Sequence, residues 1–205
     1  MKQVLRLFKY STFIFGAMFV LNSCNSSGDK TASATTDSTT VTTTDNSAAA
    51  AATPAKLTDP EIASVAVTAD QIDVDYAAIA KEKSKNKAVL EFAATMARDH
   101  AKVNEQAVAL AKKLGVTPQD NPTTQSLLAQ AATTKEMLNS KTGADFDKAY
   151  IDNEVAYHKA AIEVVEKTLV PDATNPELKS LLESALPIFK GHLEHAEKIQ
   201  ADFSK

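Results

Sequence analysis

Leu178, Leu182, Ala185, Phe189, His192, Ala196, Ile199 and Phe203 keep a seven-residue rhythm across almost four heptads. Steps of three and four residues return to one face of an α-helix, so this run needs partner helices along its whole length. One residue breaks the stripe: His192 stands where Leu or Ile belongs. Two further stripes carry the same substitution. Phe92, Met96, His100, Val103, Ala107, Leu110 and Leu114 form one. Phe146, Tyr150 with Ile151, Glu154 with Val155, His158, Ile162, Val165 and Leu169 form the other. A buried polar group is costly unless it is partnered, so three core histidines in one small domain need a reason.

The stops and starts predict an all-α domain. Asp59-Pro60-Glu61 places Asp59 as the N-cap of a first helix running to about residue 83, with the stripe Val65, Ala69, Ile72 with Asp73, Tyr76, and Ile79 with Ala80. A polar turn at 84–86 leads into the second helix, which Leu114-Gly115 ends. Asn121-Pro122 opens a shorter helix to about residue 139. A third long helix spans about 144–169 and is expected to stop at Pro171. Asn175-Pro176-Glu177 starts the fourth, in which Pro187 is expected to kink or break the chain locally. The first and last pairs of long helices are joined by short links and predict antiparallel hairpins. The link between the pairs is about 28 residues and carries its own helix. Two hairpins joined by a long crossover give a ferritin-like four-helix bundle; an up-down-up-down bundle with the short helix as a lid is the alternative.

The chain ahead of this domain has another character. Lys2, Arg6 and Lys9 precede a short apolar run ending at Leu21-Asn22-Ser23-Cys24. A basic start, a short apolar core and small residues before a cut site make a secretory signal. Leu-Asn-Ser-Cys resembles a bacterial lipobox, which implies cleavage after residue 23 and fatty-acyl (palmitate) modification of Cys24. Residues 24–56 are a Ser/Thr/Ala-rich tether that cannot bury enough apolar surface to order itself. The bundle occupies 57–205. Removing the signal takes away three positive charges, and the formal net charge falls from −4 to −7. Cys24 is the sole cysteine, so the domain has neither a disulfide nor a thiolate nucleophile or ligand. No basic patch interleaved with aromatics suggests nucleic acid. No nucleophile elbow, phosphate loop or dinucleotide fingerprint is present.

Hairpin geometry brings the unusual residues together. Around a turn near residue 85, Asp73 lies about 12 positions back and His100 about 15 forward, within about one turn of equal depth. Around a turn near residue 173, His158 lies about 15 back and His192 about 19 forward, with Glu154 matching His192 in depth. Asp73, His100, Glu154, His158 and His192 therefore form a mid-bundle layer, with Asp99 and Tyr150 as outer neighbours. His195, flanked by Glu194 and Glu197, reads as a solvated residue. The spacing does not fit the Glu-x-x-His pairs of di-iron bundles. Three explanations remain open: a hydrogen-bonded network, which the sequence favours; a single Zn, Fe, Cu or Mn ion held by imidazole and carboxylate; and a pH-sensitive core whose sign the sequence leaves undetermined.

Five ordered motifs resemble the DUF4142 family of bacterial exported proteins. They are Phe92-Ala93-x-x-Met96-x-x-Asp99-His100, Lys112-Lys113-Leu114-Gly115-Val116, Gly143-Ala144-x-Phe146-Asp147-x-x-Tyr150, His158, and Leu186-Pro187-x-x-x-x-His192-Leu193-x-x-Ala196. The resemblance spans about 62–200. It implies a ferritin-like bundle in the cell envelope and adds Asp147 to the expected outer neighbours. Near the first helix this chain has Asp73 and Asp75 where the family usually shows Glu. The expected function is a lipid-anchored protein of the bacterial envelope, facing the periplasm or the surface. Its bundle binds an unidentified protein partner or serves in stress protection without catalysis. The alternative is a transition-metal or redox bundle built on the core histidines and acids.

Overall fold

Thr58, not Asp59, caps the first helix in the computed structural model, which describes residues 56–203 and 205. Glu61 Oε2 accepts from the Thr58 amide at 2.8 Å and from its hydroxyl at 2.7 Å. Asp59 is drawn away by a tertiary role: it accepts from the Thr174 amide and hydroxyl at 2.8 and 2.6 Å, and from the Asn175 amide at 3.0 Å. The start of the first helix is thereby tied to the turn before the last one. A short cap motif identifies a helix start to within a residue; a competing long-range partner chose between adjacent candidates.

The described residues are helical, with no strand among them. The elements are α1 (Asp59–Lys83), α2 (Lys87–Leu114), α3 (Pro122–Ser140), α4 (Gly143–Val164), a π-helical turn (Val165–Leu169), α5 (Val170–Asp172) and α6 (Pro176–Asp202). Asn86, Asn121 and Asn175 cap α2, α3 and α6 through their side-chain oxygens. Gly115 ends α2 at φ 65°, a left-handed conformation that costs other residues more.

Two proline expectations are corrected. The third long helix runs through Pro171 and ends one residue beyond it, at Asp172. The π-turn shifts the bonding register so that the Val170 amide reaches the Val165 carbonyl. Pro171, which has no amide to give, falls where the register changes back. Pro187 does not break α6 either. It is exposed, and Ala185 and Phe189 are buried on either side of it. Their burial holds the helix across a lost bond that costs about 3 kcal/mol in an unsupported helix.

α1 packs along α2, and α4 along α6. α2 also meets α6, α1 meets α4, and α3 lies against α1. The buried residues fall into two apolar clusters. One surrounds Tyr76, Phe92, Met96, Phe146 and Tyr150; the other surrounds Ile62, Val65, Leu169, Leu178 and Leu182. The core histidines and acids lie between them. The Leu, Phe and Val anchors, each contributing about 1.5–3 kcal/mol on burial, supply the stability that a polar layer subtracts. Among the described residues no helix is long and apolar enough to cross a membrane.

Candidate metal centre

His100 from α2, His158 from α4 and His192 from α6 meet as a triangle of rings. Their centroids are 5.5 Å (His100–His158), 5.2 Å (His100–His192) and 5.5 Å (His158–His192) apart. Each occupies the stripe position that the heptad rhythm assigns to a core residue, and all three are at most 5% exposed. Phe189 stacks on His100 at 5.2 Å with the planes 9° apart, which fixes that ring from one side.

One nitrogen of each ring is engaged. His100 Nδ1 lies 2.8 Å from Asp70 Oδ1. His158 Nδ1 donates to the Glu154 backbone carbonyl at 3.0 Å. His192 Nε2 lies 3.1 Å from Asp99 Oδ2. A carbonyl can only accept, so the proton of neutral His158 sits on Nδ1. The other nitrogens, His100 Nε2, His158 Nε2 and His192 Nδ1, are buried and have no hydrogen-bond partner. His100 Nε2 has Asp73 Oδ2 nearby at 3.3 Å. Each histidine of the triangle can offer a ligand atom within 4.8 Å of the other two.

A second triad, Asp73, Glu154 and His158, meets the same distance limit and shares His158 with the first. Asp73 and Glu154 pair as carboxyls, one donating to the other when protonated, and no other residue donates to Asp73 Oδ1 or to either Glu154 side-chain oxygen. The electrostatics follow from this enclosure. Burial pushes the Glu154 carboxyl up to about 8. Burial, then the charge of Glu154, holds Asp73 well above the carboxylate range. Burial lowers His158 to about 3, with His100 and His192 adding like charge. Burial also lowers His192, against the pull of Asp99. For His100 burial opposes the charge, but Asp73 and Asp70 outweigh it and raise the pKa. Burial raises Asp70 in turn, with His100 opposing. The layer thus holds one imidazole that favours the proton and two that refuse it.

The structure brings Asp73, His100, Glu154, His158 and His192 into one layer. Asp99 joins through His192 and pairs outward with Arg98 at 2.8 Å. Tyr150 is buried beside the layer, its hydroxyl unpartnered and its pKa raised well above the usual value by burial and then by Glu154 and Asp73. Its ring packs on Phe92 and Phe146. Asp147 does not belong to the layer. It accepts from the Ser84 hydroxyl and so ties α4 to the α1–α2 turn, because it lies two turns of helix before Glu154. His195 is exposed, with its ring edge-on to Phe92 at 5.3 Å. Cys24 lies outside the described residues, as do the signal segment and nearly all of the tether.

The sequence reading missed Asp70. It lies 15 residues before position 85 and His100 lies 15 after it. The depth matching used for Asp73 therefore selects Asp70 more closely. Its position one step off the apolar stripe hid it.

A family model described as a domain of unknown function, DUF4142, matches residues 43–199. No curated protein matches the chain. Among solved structures, the crystal structure of a DUF305 fragment from Deinococcus radiodurans is similar, at 16% identity and a TM-score of 0.59, over 72% of this chain and 99% of that one. CopM in its Cu(II)-bound form is similar at 13% identity and a TM-score of 0.55, over 73% of this chain and 99% of that one. At these identities the likeness concerns the fold.

Proposed function

The chain belongs to the DUF4142 family, and from that premise we propose that its bundle holds one divalent transition-metal ion at His100, His158 and His192, with Asp73 and Glu154 beside them. The observation that carries this reading is the set of three buried ring nitrogens without hydrogen bonds, each on a ring whose other nitrogen is anchored. Anchoring the far nitrogen fixes the tautomer and orientation of a metal-binding imidazole. A purely structural network leaves His158 Nε2 and His192 Nδ1 unsatisfied, at about 1–3 kcal/mol each.

Imidazole and carboxylate without thiolate form a borderline donor set, and for such a site Cu²⁺ binds most tightly among the common divalent ions. The similar chain solved with Cu(II) supports testing copper first. Burial of all five groups suits retention of an ion rather than turnover of a substrate. X-ray absorption of the Cu²⁺-loaded full-length chain should show imidazole scattering that disappears in His100→Ala with His158→Ala. An unchanged spectrum in that variant contradicts the reading.

The arrangement we assign to the described helices is ferritin-like: α1 and α2 form one hairpin, α4 and α6 the other, and α3 rides in the crossover. The protein, in this proposal, is a lipoprotein of a bacterial envelope membrane, held by an acylated Cys24 and a polar tether, and its role is non-enzymatic. The Leu21-Asn22-Ser23-Cys24 sequence supports that placement. Palmitate labelling that persists in Cys24→Ser would remove it.

A further inference from the structure

On the side of the histidine layer away from the α1–α2 turn, the bundle is hollow. A cavity of about 150 Å³ lies between α1, α2, α4 and α6, with α3 along one side. Small side chains on opposed helices create it: Ala66, Ala107, Ala161 and Ala185 line it from α1, α2, α4 and α6 in turn. Val103 and Leu182 complete an almost wholly apolar wall. The π-turn contributes Val165 and Leu169, both buried. A π-turn inside a helix is frequent at functional sites. Asp70, Asp73, His100 and His158 line the end at the histidine layer, and Asp59, Thr123 and Gln130 line the space away from it.

We propose that this cavity binds a small uncharged molecule with an apolar body and one hydroxyl group, a phenol or an alcohol of similar size, with the hydroxyl at the His100–His158 end. An apolar cavity of about 150 Å³ stays dry and accepts a benzene-sized molecule. Ligand sites have this composition, with apolar walls and a few convergent polar groups. The polar end selects the head group. His158 Nδ1 is committed to the Glu154 carbonyl, so its Nε2 is a buried acceptor that lacks a donor. Asp73 Oδ1 has no donor other than Glu154. A hydroxyl supplies the missing donor and can accept in return. A carboxylate head would meet Asp70 and Asp73 at close quarters, and an ionic head would lose its hydration against aliphatic walls.

This site goes beyond the metal reading and does not rest on it, although both use His158 Nε2. The test therefore uses the full-length chain after treatment with a chelator. Titration with 4-methylphenol, toluene and 4-methylbenzoate is followed by calorimetry and by backbone amide shifts. Saturable one-to-one binding of 4-methylphenol is expected, with toluene weaker by about fivefold or more and 4-methylbenzoate without effect. Ala107→Leu fills the cavity from α2 and should weaken 4-methylphenol by about tenfold or more. Ala185→Leu should do the same from α6, which covers a folding failure of either variant. Absence of saturable binding overturns the proposal. So does equal affinity for toluene, or undiminished binding in both folded variants. Copper uptake by Ala107→Leu is expected to match the parent chain, so a failure here is separate from a failure of the metal centre.

Discussion

His158 and Glu154 stand one helical turn apart on α4, and the side chain of the first donates to the backbone carbonyl of the second at 3.0 Å. The consequence reaches across the bundle. With Nδ1 committed, the imidazole presents a bare Nε2 to the space between α2 and α6. The Glu154 carboxyl, fully buried, lies beside Asp73 of α1 and His158, and no residue but Asp73 is placed to donate to it. A bare, buried Nε2 is unfavourable in an empty layer, so the site stores a cost that a bound ligand removes.

That cost predicts an unusual outcome for His158→Leu. Replacing a buried, half-satisfied polar group with an apolar one of similar size should stabilise the metal-free protein by about 1–2 kcal/mol. The same variant should lose the rise in melting temperature that metal gives the parent. Chemical denaturation with and without Cu²⁺ measures both. Destabilisation of the metal-free form would mean that Nε2 is satisfied.

Asp70 should act through His100. Asp70→Ala removes the acceptor for His100 Nδ1 and leaves that N–H buried, at a cost of about 1–3 kcal/mol. Loss of an outer carboxylate of this kind typically weakens a metal by about 10–100-fold. Isothermal titration against the parent checks the second effect, and unchanged affinity would limit Asp70 to a structural role.

The titrating groups pull stability in opposite directions, and the windows differ. Glu154, Asp73 and His100 have raised values when folded, so their contribution is complete at low pH and is lost as pH rises through the folded values. His158 and His192 are depressed, so their contribution is complete above 6.5 and is lost as pH falls below it, toward about 3 for His158. Between 4.5 and 6.5 the two sets oppose each other. From 6.5 to about 8 only the first set still changes, and Glu154 alone should cost the metal-free protein about 1–2 kcal/mol over that window. Glu154→Gln should remove the share due to Glu154 and leave that due to Asp73 and His100. Equal stability at both ends of the window in the parent would contradict the assignment.

Ser84 and Asp147 provide a control. Their buried hydrogen bond ties the α1–α2 turn to α4, apart from the histidine layer. Ser84→Ala should cost about 1–3 kcal/mol in stability and leave metal uptake unchanged. A parallel loss of metal would bring Asp147 back into the site.

Much of this architecture was legible before the structure. Heptad spacing placed His100, His158 and His192 on buried faces, and matching depths around the two turns brought them together with Asp73 and Glu154. Asn121-Pro122 and Asn175-Pro176 set helix starts because the signals are local. The failures share a cause, which is that a distant partner decided the outcome. Asp59 gave up its cap position for Thr174 and Asn175. Pro171 was absorbed by a π-turn, and Pro187 by the core contacts on either side of it. Asp147 carried a motif but served a turn. Asp70 was hidden because an acid beside an apolar stripe reads as solvated until the facing helix is known to bring a histidine to it.

The most direct test of the metal centre is calorimetric titration of Cu²⁺ into the full-length chain without a polyhistidine tag, with bound copper counted by elemental analysis after dialysis. The account predicts about one tightly held ion per chain, a higher melting temperature on loading, and loss of both in His158→Leu. Copper retained below about a tenth of an equivalent, with an unchanged melting temperature, would contradict it.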